Sequence, residues 1–157
     1  MKKLTNICLF LVLFLTLNCG FKIVDKSQLN NFSIKEIKLN GDKRINFKIK
    51  NKIIINSTKN SNNVLFLNIE TKKTKKIKEK NIKNQITKYE ILLNTIINYH
   101  SNKSDKYEPI NLTVTGSFLV AENYSDTLNN EKKLVDSLIE NISNEAIEEI
   151  GQRLDDI

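Results

Sequence analysis

Two groups of residues in this sequence have types and spacings that could do chemistry. The first is a single thiol. Cys19 follows a short basic start, Met1-Lys2-Lys3, and an apolar run from Leu4 to Leu17. That run is too short to cross a bilayer, which takes about 20 apolar residues, and the composition turns polar directly after it. The layout is that of an export signal, with a cysteine at the cleavage junction where a thiol can be fatty-acylated before the signal is cut away. Removing residues 1–18 leaves 139 residues beginning at Cys19, and Cys8 departs with the signal. One remaining cysteine cannot form an internal disulfide, so at a new N-terminus it reads as an attachment point. Gly20 in place of Asp at the next position points to the outer membrane by the enterobacterial sorting rule. Thr16 and Asn18 depart from the usual cleavage box.

The second group is cationic. Lys72, Lys73, Lys75, Lys76, Lys78, Lys80 and Lys83 crowd one segment, and Lys132-Lys133 form a smaller pair. Ammonium groups at this density suit clustered phosphates through charge-assisted hydrogen bonds. The plainer reading is a solvated hairpin tip whose lysines protect a sheet edge. The whole chain is lopsided in the same sense: Lys22 to Lys106 holds 20 basic and 7 acidic residues, and Tyr107 to Ile157 holds 3 basic and 11 acidic. Export points away from nucleic acid and toward anionic lipid or a phosphorylated glycolipid. Abundant Lys, Asn and Ile also fit a compositional bias that places charge on solvated faces.

Other chemistry is poorly supplied. His100 is the only histidine, and the mature chain has one thiol, so neither a histidine cluster nor a thiolate metal site is expected. Gly20, Gly41, Gly116 and Gly151 are not spaced as a phosphate-cradling loop. Glu148-Glu149 and Asp155-Asp156 are adjacent pairs, and adjacent helical residues do not face one another. Ser137 and Ser143 have no candidate base nearby. The expectation is a protein without catalytic residues, cofactor or metal.

The elements that must position these groups follow from periodicity. Residues 20–31 read as a tether. Phe32, Ile34, Ile37 and Leu39 suggest a first strand closed by the turn pair Asn40-Gly41. Arg44 to Ile55 is open between two readings: Ile45, Ile49 and Ile53 recur as on a helix face, while Ile45, Phe47 and Ile49 alternate as in a strand. Val64 to Ile69 is a strand bounded by the lysine-rich stretch. Tyr89, Ile91, Leu93, Ile97 and Tyr99 share one parity of a long strand, with Leu92 and Ile96 on the other. Ile110, Leu112, Val114, Phe118 and Val120 alternate with polar residues in a strand with one packed face. Short links between these strands predict an antiparallel meander. Leu134, Leu138, Ile142, Ala146, Ile150 and Leu154 then mark a closing amphipathic helix of about 26 residues, capped by Asn129 or Asn130 with Glu131 at its positive end. Gly151 near its end suggests fraying or close contact. The sum is an α+β two-layer sandwich.

In this order the elements resemble the lipopolysaccharide (LPS)-assembly lipoprotein family, LptE. Cys19-Gly20-Phe21-Lys22 resembles the Cys-Gly-aromatic-basic start of its mature members. Thr87 to Leu93 is similar to a family strand carrying tyrosine among alternating apolar residues. Tyr107-Glu108-Pro109-Ile110 resembles the family's approach to its last strand, and Asn144 to Leu154 its terminal helix. The chain departs from the family at the cleavage box and at Lys22-Ile23, and it lacks the tail some members have.

The resemblance implies a signal peptide over 1–18, a lipid-anchored tether over 19–31 and one α+β domain over 32–157. It implies a helix over 44–56, and an antiparallel or mixed four-stranded sheet packed against two helices. By function it implies a non-catalytic outer-membrane protein, anchored by lipid at Cys19, that sits on the periplasmic side and in the lumen of a large LptD-type β-barrel and assists LPS assembly. LPS contacts are carried over by region only, to the lysines named above. The alternatives are an auxiliary lipoprotein subunit of a lipid-transport ABC system and a structural envelope lipoprotein. A long apolar groove would favour the transport subunit, and a filled core with a polar perimeter the barrel plug.

Overall fold

The computed structural model describes residues 32–59, 61–102 and 104–155, with backbone alone for 104–108 and 155. The export signal, Cys19 and the tether lie outside the described residues. The chain runs β1 (Ser33–Gly41), α1 (Lys43–Ile55), β2 (Val64–Lys80), β3 (Ile86–Ser101), β4 (Ser104–Leu119) and α2 (Tyr124–Asp155). The four strands lie side by side in chain order. β1 is parallel to β2 through the α1 crossover, and β2, β3 and β4 form the expected antiparallel meander. Both helices cover one face of this mixed sheet, and the core lies between the two layers.

β1 breaks strict alternation, since Ile34 and Ile37 are three residues apart. A bulge between Ile34 and Glu36 absorbs the extra residue, so Ile34, Ile37 and Leu39 all pack against the core. Asn40-Gly41 closes β1, as the sequence suggested, and forms a strand-to-helix junction. Gly41 has φ +80°, and a Cβ there would stand 2.4 Å from the Thr71 carbonyl oxygen. Asp42 donates its backbone N–H to that same oxygen at 2.9 Å. Its carboxylate accepts from the backbone N–H groups of Arg44 and Ile45, both at 3.1 Å, which caps α1.

That cap settles the open reading of residues 44–55. Ile45, Ile49 and Ile53 are all buried on the helix, while Phe47 stays 57% exposed. A strand would have put Phe47 inside with Ile45 and Ile49. Asn46 is also buried, and its amide donates to the carbonyl of Asn40, tying the helix back to the end of β1.

The meander strands are longer than their apolar runs. β2 extends through the lysine segment as far as Lys80, with register shifts only after Ile77. The stripe of α2 (Leu138, Ile142, Ala146, Ile150) is buried against the sheet face carrying Ile91, Leu93, Leu112 and Phe118, as periodicity predicted. α2 begins at Tyr124, some five residues before the predicted caps. Its first turns carry no full apolar stripe, Leu128 being 47% exposed, so periodicity could not find them. Thr127 anchors this start by accepting from the backbone N–H of Ala121 at 2.9 Å. Asn130 is no cap: its amide donates to the Leu119 carbonyl at 3.2 Å, pinning the helix to the end of β4. At Gly116 a Cβ would meet the Leu134 side chain at 2.6 Å, so the missing side chain lets α2 approach β4 closely. Gly151 is buried and the helix continues through it to Asp155.

Candidate functional site

The lysines expected between the second and third strands lie instead on β2 itself and, at Lys83, in the hairpin loop. An extended strand sends successive side chains to opposite faces, and this divides the cluster. Lys73 and Lys75 point to the helix side, where both pair with Glu131 of α2, at 3.3 and 2.6 Å. Lys75 also stands over the rings of Tyr89 and Phe118, at 4.3 and 5.1 Å from their centroids, and those rings stack at 5.6 Å. Lys75 is therefore part of the fold's own structure. Burial alone would push the Glu131 carboxyl up; the hydrogen bonds and charges of Lys75 and Lys73 outweigh it and hold the group below the ordinary carboxylate value. Glu131 thus works through these lysines and not through the helix dipole.

Lys72 and Lys76 fall on the other parity, on the sheet face away from the helices. Their cross-strand neighbours on β3 are Asn94 and Glu90. Lys78, at the register shift, pairs with Glu90 at 2.9 Å, and Lys80 donates to the Asn84 side-chain oxygen at 3.0 Å. Asn84 sits at φ +60° in a hairpin loop fastened by Asn81, whose side-chain oxygen accepts from the N–H groups of Lys83 and Gln85, both at 3.0 Å. Asn and Asp tolerate that left-handed conformation best after Gly. Lys72, Lys76 and Lys83 have no carboxylate partner among the described residues. Lys132 borders a groove beside α1, and Lys133 is exposed.

Much of the lopsided charge is internal. Besides Glu131, the acidic second half supplies Asp136 to Lys48 and Glu140 to Lys52 of α1, the latter at 3.1 Å. These exposed pairs contribute little stability each, about 0–1 kcal/mol, but they use up part of the positive charge counted in the sequence.

The uncovered end of the hairpin is amphipathic. Ile77 and Ile82 are exposed at 51% and 103%, and Leu119, Tyr124 and Leu128 on the neighbouring elements are exposed as well. Sequence periodicity passed over these residues because they belong to no buried stripe. Two open grooves flank Glu131. One, of about 410 Å³, has Arg44, Lys48, Lys73 and Lys132 around an apolar floor of Leu128, Val135 and Ile139. The other, of about 320 Å³, lies between Lys75, Tyr89, Val120, Tyr124 and Leu128. Both are surface features above a filled core. The open sheet face is mostly polar, with Asn94, Asn98, Asn111, Thr113, Thr115 and Ser117 across β3 and β4, but it also carries Leu92 and the 40% exposed Ile96. No group of three or more His, Cys, Asp or Glu side chains converges among the described residues, and none of their helices is long and apolar enough to cross a membrane.

No protein-family model matches the chain, and no curated protein sequence does. Solved structures do match in fold. An uncharacterized lipoprotein B from Nitrosomonas europaea superposes with a TM-score of 0.58 at 12% identity, over 87% of this chain and 93% of that one. Rare lipoprotein B from Shewanella oneidensis gives 0.50 at 12% identity, over 78% of this chain and 95% of that one. The fold is one found in proteins named lipoproteins. At these identities the likeness is a likeness of fold.

Proposed function

We propose that this chain is an outer-membrane lipoprotein, anchored through Cys19, whose α+β domain sits in the lumen of a large LptD-type β-barrel and assists LPS assembly without catalysing a reaction. The observation that carries this reading is the division of surfaces on one sheet. Its helix-covered face is filled by apolar side chains, and its open face is mostly polar, presenting amides, hydroxyls, Lys72 and Lys76 around Leu92, Ile96 and the stacked Phe66–His100 pair. A wide barrel lumen is lined by polar side chains, and such a face suits it. Resemblance to the LptE family and a fold shared with lipoproteins support the same reading. The hairpin end adds cations beside exposed apolar residues, a combination suited to a ligand with phosphates next to acyl chains. The grooves flanking Glu131 are open and bordered by charge, which fits the barrel plug better than an apolar lipid-transport channel.

The test is copurification from detergent-solubilised envelopes. A tagged chain should bring down a large heat-modifiable β-barrel in stoichiometric amount, and mass spectrometry should find Cys19 acylated as the first residue. An unmodified Cys19 would remove the lipid anchor. Recovery of an ABC transporter in place of a barrel would select the alternative.

A further inference from the structure

α1 has two apolar sides. Ile45, Ile49 and Ile53 are buried on the inward one, yet Phe47, Ile54 and Ile55 are exposed on the other at 57%, 42% and 78%. Lys43, Phe47, Lys50 and Ile54 follow at steps of four, three and four residues, so they form one row along the outer face. The helix carries five basic residues and no acidic one, and its cations divide by side. Lys48 and Lys52 turn to α2, where they pair with Asp136 and Glu140. Lys43, Arg44 and Lys50 have no carboxylate partner among the described residues. On the flank away from α2, an open groove of about 390 Å³ runs between α1 and the edge strand β1, with Lys50 and Lys59 beside Ile34, Ile37 and Ile54. Glu36 of the same groove pairs with Lys38 at 3.6 Å. The chain enters the fold at this corner: Thr58, just past α1, donates its backbone N–H to the Phe32 carbonyl at 2.8 Å. Residues 19–31, which join Cys19 to Phe32, can reach at most about 45 Å.

We infer that this corner, the outer row of α1 together with the α1–β1 groove, docks on the anionic phospholipid surface that holds the acylated Cys19. The inference rests on the anchor in the proposed function and goes beyond it, because it concerns the chain before a barrel encloses it. A helix with aromatic and aliphatic residues set among lysines lies in a membrane interface, its apolar side chains at the acyl boundary and its ammonium groups on phosphates. The rest of the helical layer fixes the orientation. α2 exposes Glu145 and Glu148, which an anionic surface repels, so the domain turns its α1–β1 corner to the lipid and α2 away. An acyl anchor and a basic patch are then two signals on one surface, and together they bind more firmly than either alone.

Fluorescence quenching on vesicles tests this with the full mature chain. Acylation at Cys19 leaves the wild type without a free thiol, so Asn51→Cys, one turn after Phe47, and Asn111→Cys, on the far edge strand β4, each take a single fluorophore. The vesicles are phosphatidylcholine with or without phosphatidylglycerol, and contain a headgroup-labelled quencher lipid. With phosphatidylglycerol, the label at 51 should be quenched about threefold or more above the label at 111. That difference should collapse without phosphatidylglycerol or in high salt. Changing Lys43, Lys50 and Lys59 together to Gln should abolish it, and so should Phe47→Ser with Ile54→Ser, which leaves the charge unchanged. Circular dichroism and thermal unfolding check each fold. Equal quenching at the two positions, indifference to phosphatidylglycerol, or folded variants that quench like wild type would overturn the inference. The mass of Cys19 is read on the same sample; should it be unacylated, cosedimentation of the chain and its variants with the same vesicles replaces the quenching. No barrel is present, so a missing anchor, a missing barrel partner and an idle docking face are separate results.

Discussion

The β2–β3 hairpin has two halves built on one pair of strands. At the root, Leu65, Leu67 and Ile69 lie opposite Ser101, Tyr99 and Ile97 of β3, within the core under the helices. Toward the tip the same alternation continues, but lysine takes the inward positions and the helices give way to solvent. Lys73 and Lys75 are the transition. They occupy the core parity opposite Leu93 and Ile91, yet both ammonium groups reach Glu131, and that of Lys75 also stands over the Tyr89 and Phe118 rings. A strand can thus outrun its hydrophobic core, provided the first residues beyond it find charge partners and aromatic faces for their stems and ammonium groups.

The largest effect should come from the root. Leu138→Ala opens a cavity beneath the buried α2 stripe and should cost about 2–5 kcal/mol in denaturant unfolding. A loss under about 0.5 kcal/mol would mean that Leu138 carries no packing load. At the transition, Lys75→Ala should cost about 1–3 kcal/mol, because a carboxylate that is only 17% exposed loses its shorter hydrogen bond. Its sequence neighbour on the opposite face, Lys76→Ala, should fall within about 0.5 kcal/mol. Equal costs for the two neighbours would erase the distinction between the faces.

A pH series sharpens the same point. The Glu131 carboxyl is held below its ordinary value of 4.5 in the folded chain. A depressed carboxylate contributes stability that is complete above that value and is lost as pH falls through the lower folded-state pKa. The stability gap between wild type and Glu131→Gln should therefore be constant near neutrality and close below about pH 4.5. A gap that widened on acidification would reverse the assignment.

The smallest effect on stability should come from the tip. Lys72, Lys76 and Lys83, all changed to Gln, should alter unfolding by about 0.5 kcal/mol or less per site. On the proposed function, the same triple variant should bind LPS vesicles more weakly. Wild-type binding should also fall with salt, as exposed charges are screened beyond about 8–10 Å at physiological ionic strength. Lys78 is left in place because it pairs with Glu90. Undiminished binding by a folded triple variant would move the LPS contact elsewhere, first to the groove bordered by Arg44, Lys48 and Lys132.

By itself the sequence determined which faces are buried. Period-two alternation in β3 and β4, and the four-residue stripe of α2, each name a side that water must not reach, and burial of apolar area follows from local spacing alone. It also determined the α+β class and the meander, because short polar links leave antiparallel neighbours few alternatives. Only the tertiary structure decided what local spacing leaves degenerate. Residues 44–55 fit both periods, and a cap from Asp42 together with the Gly41 junction made them a helix. The lysine run has no apolar residue to mark its pleat until Ile77, so nothing local revealed that β2 continues or that Lys73 and Lys75 face Glu131 while Lys72 and Lys76 do not. That division depends on a helix 56 to 58 residues away. The partner of a charge is a property of the assembled chain.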